Sequence, residues 1–195
     1  MTLCHNGDND ICDSARGHAE HGGLSAFGQE VVREMNALGM MIDMSHAAES
    51  SFYDALALSQ APIVCSHSSS RALCSHPRNL TDEQMKALAA QGGVAQVTLY
   101  HGFLRHEGEA TVLDALDHLH HMVQVMGPEH VGIGTDFDGD GGVRGLKDAS
   151  ELIGFTRQLL RRRYSESDLQ GIWGGNFLRV MRQVQSSATS HLGLS

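Results

Sequence analysis

Apolar residues along this chain fall into two alternating kinds of run. One kind is short and nearly continuous: MMIDM (40–44), PIVC (62–65), VAQVTLY (94–100) and VGIG (131–134). Runs of this kind read as strands covered on both faces, as in a parallel sheet. The other kind is periodic. Phe27, Val31, Met35 and Leu38 share one helical face over 25–38, and Gly39 is placed to end that helix. Phe52 and Leu56 anchor a helix from Ala47 to about Gln60, and Pro62 opens the next strand. Thr81–Asp82–Glu83–Gln84 is a capping box, with Leu80 and Met85 as its hydrophobic staple and Gly92–Gly93 as its stop. Val112, Leu116, Leu119 and Val123 mark a helix over 111–126 that Gly127–Pro128 closes. Further helices are predicted near 149–163 and over 165–185, the latter broken at Gly174–Gly175.

Strict alternation of helix and strand predicts an α/β fold with a parallel sheet and helices packed outside it. No Gly-x-Gly-x-x-Gly or Walker loop follows the first strand, which argues against a nucleotide site. Parallel barrels carry their chemistry at the C-terminal ends of the strands. Two runs end there in the same way, DMSH at His46 and VCSH at His67.

One strand–helix–strand unit separates these histidines, which in a barrel sets them on neighbouring strand ends. They are candidates to ligate one metal through neutral imidazole nitrogens, or else form a hydrogen-bonded pair. Ser45 and Ser66 precede them, but successive strand residues point to opposite faces, so neither serine is expected to bond its own histidine. GTDFDGDGG (134–142) matches the first half of a calcium loop, yet the bidentate Glu such a loop needs is replaced by Lys147. Asp136, emerging at a strand end, better suits a hydrolytic metal site as a proton acceptor. Arg78, in HPRN, offers a two-pronged clamp for a substrate carboxylate, with a structural salt bridge as the alternative. His5 follows the strand-like stub MTLC. His118, His120 and His121 lie along one helix and are expected on a solvated face, and His18 and His21 sit in a Gly-rich loop.

Composition changes the picture mainly by exclusion. At 195 residues, 41% hydrophobic and 19% charged, the chain has the make-up of a globular protein. Its formal charge of −9 argues against nucleic acid and anionic membrane surfaces as partners. The basic run Arg161–Arg163 is expected to complement a helix C-terminus. Four cysteines without a Cys-x-x-Cys pair point to reduced thiols in a cytoplasmic setting. No signal peptide or membrane span is read in the chain. Residues 1–185 are expected to form one unit, and 186–195 a polar, disordered tail.

Taken together, LCHNGDND, LSAFGQEVVREMNALGMMIDMSH, APIVCSHSSSRALCSHPRNLTDEQM, HVGIGTDFDG and GGNFLRV resemble, in order, the motifs of the membrane (renal-type) dipeptidase family. The resemblance covers the chain to about Val184. It implies a zinc metallopeptidase on a (β/α)8 barrel of the amidohydrolase-like type, cleaving dipeptides with a free C-terminal carboxylate by a hydroxide that bridges two zincs. By position, His46 and His67 match two ligands of one zinc, and His5 matches the histidine at the scissile carbonyl. Arg78 matches the carboxylate-holding arginine and Asp136 the strand-end proton carrier. The family's His-x-Asp pair and the Glu bridging both metals have no counterpart here. The expectation is therefore a partial barrel lacking its first strands, with at most one well-liganded zinc site. Such a chain would be inactive alone, and would form a homodimer or pair with a separate N-terminal half. Alternatives are another two-metal amidohydrolase, acting on N-acyl amino acids, esters or lactones, and a non-catalytic barrel remnant.

Overall fold

Helix boundaries follow from local chemistry. A computed structural model of the chain describes residues 1–188. Ser25 accepts from the Gly28 amide and starts α1 (Ala26–Ala37), and Gly39, with φ +66°, ends it. Helix α2 (Glu49–Leu58) leads into strand β1 (Val64–Cys65). The predicted capping box forms: Thr81 accepts from Gln84 N at 3.1 Å and the Gln84 side chain accepts from Thr81 N at 3.0 Å, opening α3 (Asp82–Ala90). The staple residues Leu80 and Met85 are both buried. Strand β2 (Val94–Thr98), the short α4 (His101–Leu104) and α5 (Val112–Met126) follow. Thr111 and Asp114 make a second capping box at the start of α5. Strand β3 (Val131–Gly134) then precedes α6 (Leu152–Arg161), α7 (Glu166–Gln170) and α8 (Asn176–Ser186).

The sheet is parallel in the order β1–β2–β3, with Val64 opposite Val94 and Ala95 opposite Val131. Asp43 bridges in parallel to Val64, and Thr2 to Asp43, so two more strand positions continue the sheet beyond β1. MMIDM is thus less regular than a full strand. It makes ladder bonds on either side of Asp43 (Val64 N to Ile42 O, 2.9 Å; Asp43 N to Met1 O, 3.1 Å) and then turns off at Ser45. The result is a partial α/β barrel wall with helices on its outer face. Side chains filling the space between wall and helices include Phe52, Ile63, Met85, Leu88, Leu116, Leu119, Met122 and Phe155, all fully buried. Each contributes roughly 1.5–3 kcal/mol through removal from water.

Helix α1 departs from the expected face. Gly28, Val32 and Met35 point inward, while Phe27 and Leu38 are 55% and 60% exposed. A Cβ on Gly28 would lie 1.9 Å from the Ile11 carbonyl oxygen, so the helix closes onto that loop through its glycine and rotates the aromatic outward. At the other end of the chain, Gly171–Gly175 forms a π turn between α7 and α8. There Asn176 Nδ2 donates to the carbonyls of Pro128 and Val131, both at 2.8 Å, tying GGNFLRV to the foot of β3. Arg161 lies in the last turn of α6 as expected, and Arg162 pairs with Asp117 at 2.5 Å. Helix α8 ends at Ser186; positions 189–195 of the expected tail lie outside the described residues.

Candidate active site

The two strand-end histidines are held by one buried carboxylate that pattern reading did not single out. Asp43, at the middle of MMIDM, accepts from Ser45 N (3.1 Å) and Ser66 N (2.9 Å) through Oδ1. Its Oδ2 accepts from Ser66 Oγ (2.6 Å) and Thr2 Oγ1 (2.7 Å). One side chain therefore locks the turns that follow two adjacent strand positions. An acidic residue inside an otherwise apolar run was the available signal, because a carboxylate is buried there only with partners.

Ser66 is the second residue the sequence misplaced. Strand β1 ends at Cys65, so the alternation of faces stops before Ser66, and its Oγ sits 2.8 Å from His67 Nδ1. This is a correction, but it does not make a serine nucleophile. The Ser66 hydroxyl proton is spent on Asp43, so Oγ accepts from His67 Nδ1–H. That fixes the tautomer and makes His67 Nε2 an acceptor, facing His46. Ser45 behaves as expected: its Oγ contacts Ser68 Oγ and accepts from His67 N, not from His46.

His46 Nε2 donates to His67 Nε2 at 2.8 Å, so the metal-free chain holds the hydrogen-bonded pair, and the two imidazoles converge on one point. His46 is buried, has φ +77°, and its Nδ1 lacks a partner among the described residues. A non-glycine residue in left-handed backbone is strained and persists where surrounding structure demands it. Here the His46 carbonyl accepts from Ala15 N at 2.7 Å, which holds the turn. Burial first, then the nearby Arg78 charge and the His67 ring, push the His46 pKa down to about 3. Burial and Arg78 also lower that of His67. Both rings are therefore neutral near pH 7, the form that binds a metal. The His5 ring stacks on His46 at 4.2 Å between centroids.

Arg78 is 3% exposed, yet Nε and Nη2 have no hydrogen-bond partner among the described residues. Its guanidinium lies over Phe103, with Cζ 5.2 Å from the ring centroid, and burial pushes its pKa down to about 10. Among the described residues it makes no salt bridge, and a buried guanidinium calls for an anionic partner. Asp136 lies beyond β3 in a tight turn, at φ +57°, with its carbonyl accepting from Gly139 N and Gly141 N. Burial raises its pKa, partly offset by His67. His5, His46, His67, Arg78 and Asp136 all line one cavity of about 620 Å³, together with Arg16, Tyr100, Phe103 and Asp140. Asp138 is exposed and does not line it.

The helix histidines differ from expectation. His118 is 1% exposed; its Nδ1 accepts from Ser70 N at 3.0 Å and its Nε2 donates to Leu104 O at 3.1 Å. His120 bonds Tyr164 and His121 bonds Asp82, so this face is packed rather than solvated. Helix α5 rotates His118 onto the loop after β1, a tertiary contact that spacing along α5 does not reveal.

A parallel α/β wall with imidazoles, a carboxylate and an unpaired guanidinium at its strand ends has the architecture of the amidohydrolase-like barrels, which carry their chemistry at that edge. Within that class the chain belongs to the membrane dipeptidase family (peptidase family M19), whose sequence pattern matches residues 1–192. An uncharacterized dipeptidase of Schizosaccharomyces pombe is 41% identical over 192 residues, covering 95% of this chain and 46% of that protein. The probable dipeptidase PvdM from Pseudomonas aeruginosa superposes with a TM-score of 0.93 at 31% identity, covering 96% of this chain and 62% of that one. A metallo peptidase from Rhodobacter sphaeroides, liganded with a phosphinate mimic of the dipeptide L-Ala-D-Ala, gives 0.81 at 30% identity, covering 88% and 49%. The chain thus spans about half the length of the curated relatives it matches.

Proposed function

We propose that this chain is the substrate-holding portion of a zinc dipeptidase that cleaves dipeptides with a free C-terminal carboxylate. The observation that carries the reading is the convergence of the His46 and His67 Nε2 atoms beside a buried guanidinium without a partner. His46 and His67 are assigned as ligands of one zinc. They fit that role as far as they go: both are neutral, one tautomer is set by Ser66 and Asp43, and their nitrogens converge. Among the described residues no group of three His, Cys, Asp or Glu side chains gathers there, so this chain supplies two of the three or four ligands a zinc site uses. Bound zinc supplies Lewis acidity and a low-pKa water. Arg78 holds the substrate carboxylate, His5 faces the scissile carbonyl, and Asp136, its pKa raised by burial, accepts and returns the proton.

The partial set of ligands and the open sheet beyond Thr2 support a role completed by further strands, from an N-terminal half or a second copy. The buried thiols of Cys4, Cys12, Cys65 and Cys74 suit a reducing, cytoplasmic compartment. The test compares this chain with a fusion to the N-terminal half of a family member, on L-Ala-D-Ala with zinc. Zinc-dependent turnover by the fusion, at least ~10²-fold above the chain alone, supports the reading. A fusion that folds and binds zinc but never cleaves a dipeptide overturns it.

A further inference from the structure

We propose that Arg16 makes the site selective for dipeptides whose C-terminal residue carries an acidic side chain; this rests on the dipeptide reading above. The cavity holds two guanidinium groups, and one substrate carboxylate accounts for only one of them. Arg78 is buried on its wall, while Arg16 is exposed at its rim. Arg71, Arg105, Arg144 and Arg162 each pair with a carboxylate. Arg16 pairs with none among the described residues; its hydrogen bond is made by the backbone amide, to Ser14 Oγ at 3.3 Å.

The position of Arg16 is nevertheless set by the site itself. Ala15 N donates to the carbonyl of His46 at 2.7 Å, and Ser14 Oγ donates to the carbonyl of His5 at 2.6 Å. Asp8 clamps the same turn, accepting from Ser14 N at 2.7 Å and His18 N at 2.6 Å. A Cβ on the following Gly17 would fall 1.7 Å from Asp8 Oδ1, so a side chain there would displace the clamping carboxylate. The loop is therefore stapled to the two strand ends that carry His5 and His46, and it projects Arg16 beside them.

Burial first, then the charges of Arg16 and Arg78 together, lower the pKa of His76, whose Nδ1 accepts from Arg78 N at 3.1 Å. Arg16 and Arg78 line the same cavity, and Arg78 is the group assigned to the substrate's terminal carboxylate. In a chain of formal charge −9, two guanidinium groups on one cavity are a local feature that general electrostatics would not supply. The side chain of a C-terminal Asp or Glu would meet Arg16 while its α-carboxylate meets Arg78. Asp140, on the same cavity, would disfavour a second anion placed on its own side.

The experiment uses the isosteric pair Ala-Glu and Ala-Gln, titrated into the metal-free chain and followed by NMR shifts at low ionic strength. Ala-Glu should bind about fivefold tighter, as a solvent-accessible charge pair gives. Arg16→Gln should bring the ratio to about one, Arg16→Lys should keep most of it, and added salt should shrink it. Arg78→Gln should weaken both peptides alike. Equal binding of the two peptides by the parent chain, or a ratio that survives Arg16→Gln, overturns the proposal and leaves the dipeptide reading standing. Failure of both peptides to bind, or indifference of both to Arg78→Gln, overturns the dipeptide reading and this inference with it.

Discussion

Asp43→Asn separates the structural from the chemical role of the buried carboxylate. Its Oδ1 accepts two backbone N–H groups and its Oδ2 two hydroxyls. Asparagine must keep its oxygen on the amides, which cannot reverse, and so places its NH2 against Ser66 Oγ and Thr2 Oγ1. The Ser66 hydroxyl, no longer spent on a carboxylate, then turns its proton toward His67 Nδ1, 2.8 Å away. His67 is driven to the other tautomer, with a proton on Nε2 where a metal would bind. Stability should fall by about 1 kcal/mol, since each hydrogen bond is replaced rather than lost. Zinc affinity should fall ~10–100-fold, the usual effect of a lost outer-shell partner. Asp43→Ala instead orphans two amides and should cost about 2–6 kcal/mol at ~1–3 kcal/mol for each unsatisfied group. Urea unfolding, competition for zinc against a chromophoric chelator and nitrogen-15 shifts of the imidazoles measure the three quantities. An Asp43→Asn chain that binds zinc as tightly as the parent, with His67 still protonated on Nδ1, would refute the relay.

Other expectations follow from the same geometry. His118→Ala should cost ~2–4 kcal/mol of stability by leaving the Ser70 amide and Leu104 carbonyl unpaired in a cavity, without changing the zinc affinity of the folded chain. Burial lowers the pKa of His46 (to about 3), His67 and His118, so between roughly pH 6.5 and 3 the unfolded chain binds more protons. Stability of the metal-free chain should accordingly be full above pH 6.5 and fall as pH drops through that window, a slope that urea titrations at stepped pH would read. In a catalytically complete form, Asp136→Asn should lower kcat by at least ~10²-fold while Asp138→Asn leaves it near the parent value; the reverse pattern would exchange the two assignments.

Strand and helix order was legible because buried parallel strands and amphipathic helices leave different periods in the chain, and glycines mark the ends. The strand-end histidines and Asp136 were legible because barrels collect chemistry at that edge, and the motifs around them resemble a known family. Other features depended on contacts between distant segments. Gly28 rotates α1 by pressing its backbone onto Ile11, which the stripe Phe27–Val31–Met35 does not encode. His118 is buried only because the loop after β1 brings Ser70 against α5. Ser66 reaches its own histidine because β1 stops one residue early, where ladder pairing with β2 gives way to the Asp43 bonds. Arg16 carried no motif; its meaning comes from a turn tied to the carbonyls of His5 and His46.

Zinc stoichiometry and affinity in the parent chain, His46→Ala and His67→Ala bear most directly on the assigned metal site. The two facing Nε2 atoms require that the parent bind one zinc per chain and that either substitution weaken binding tenfold or more, as loss of one of few ligands does. Unchanged affinity in both variants, with the fold intact by circular dichroism, would contradict the assignment.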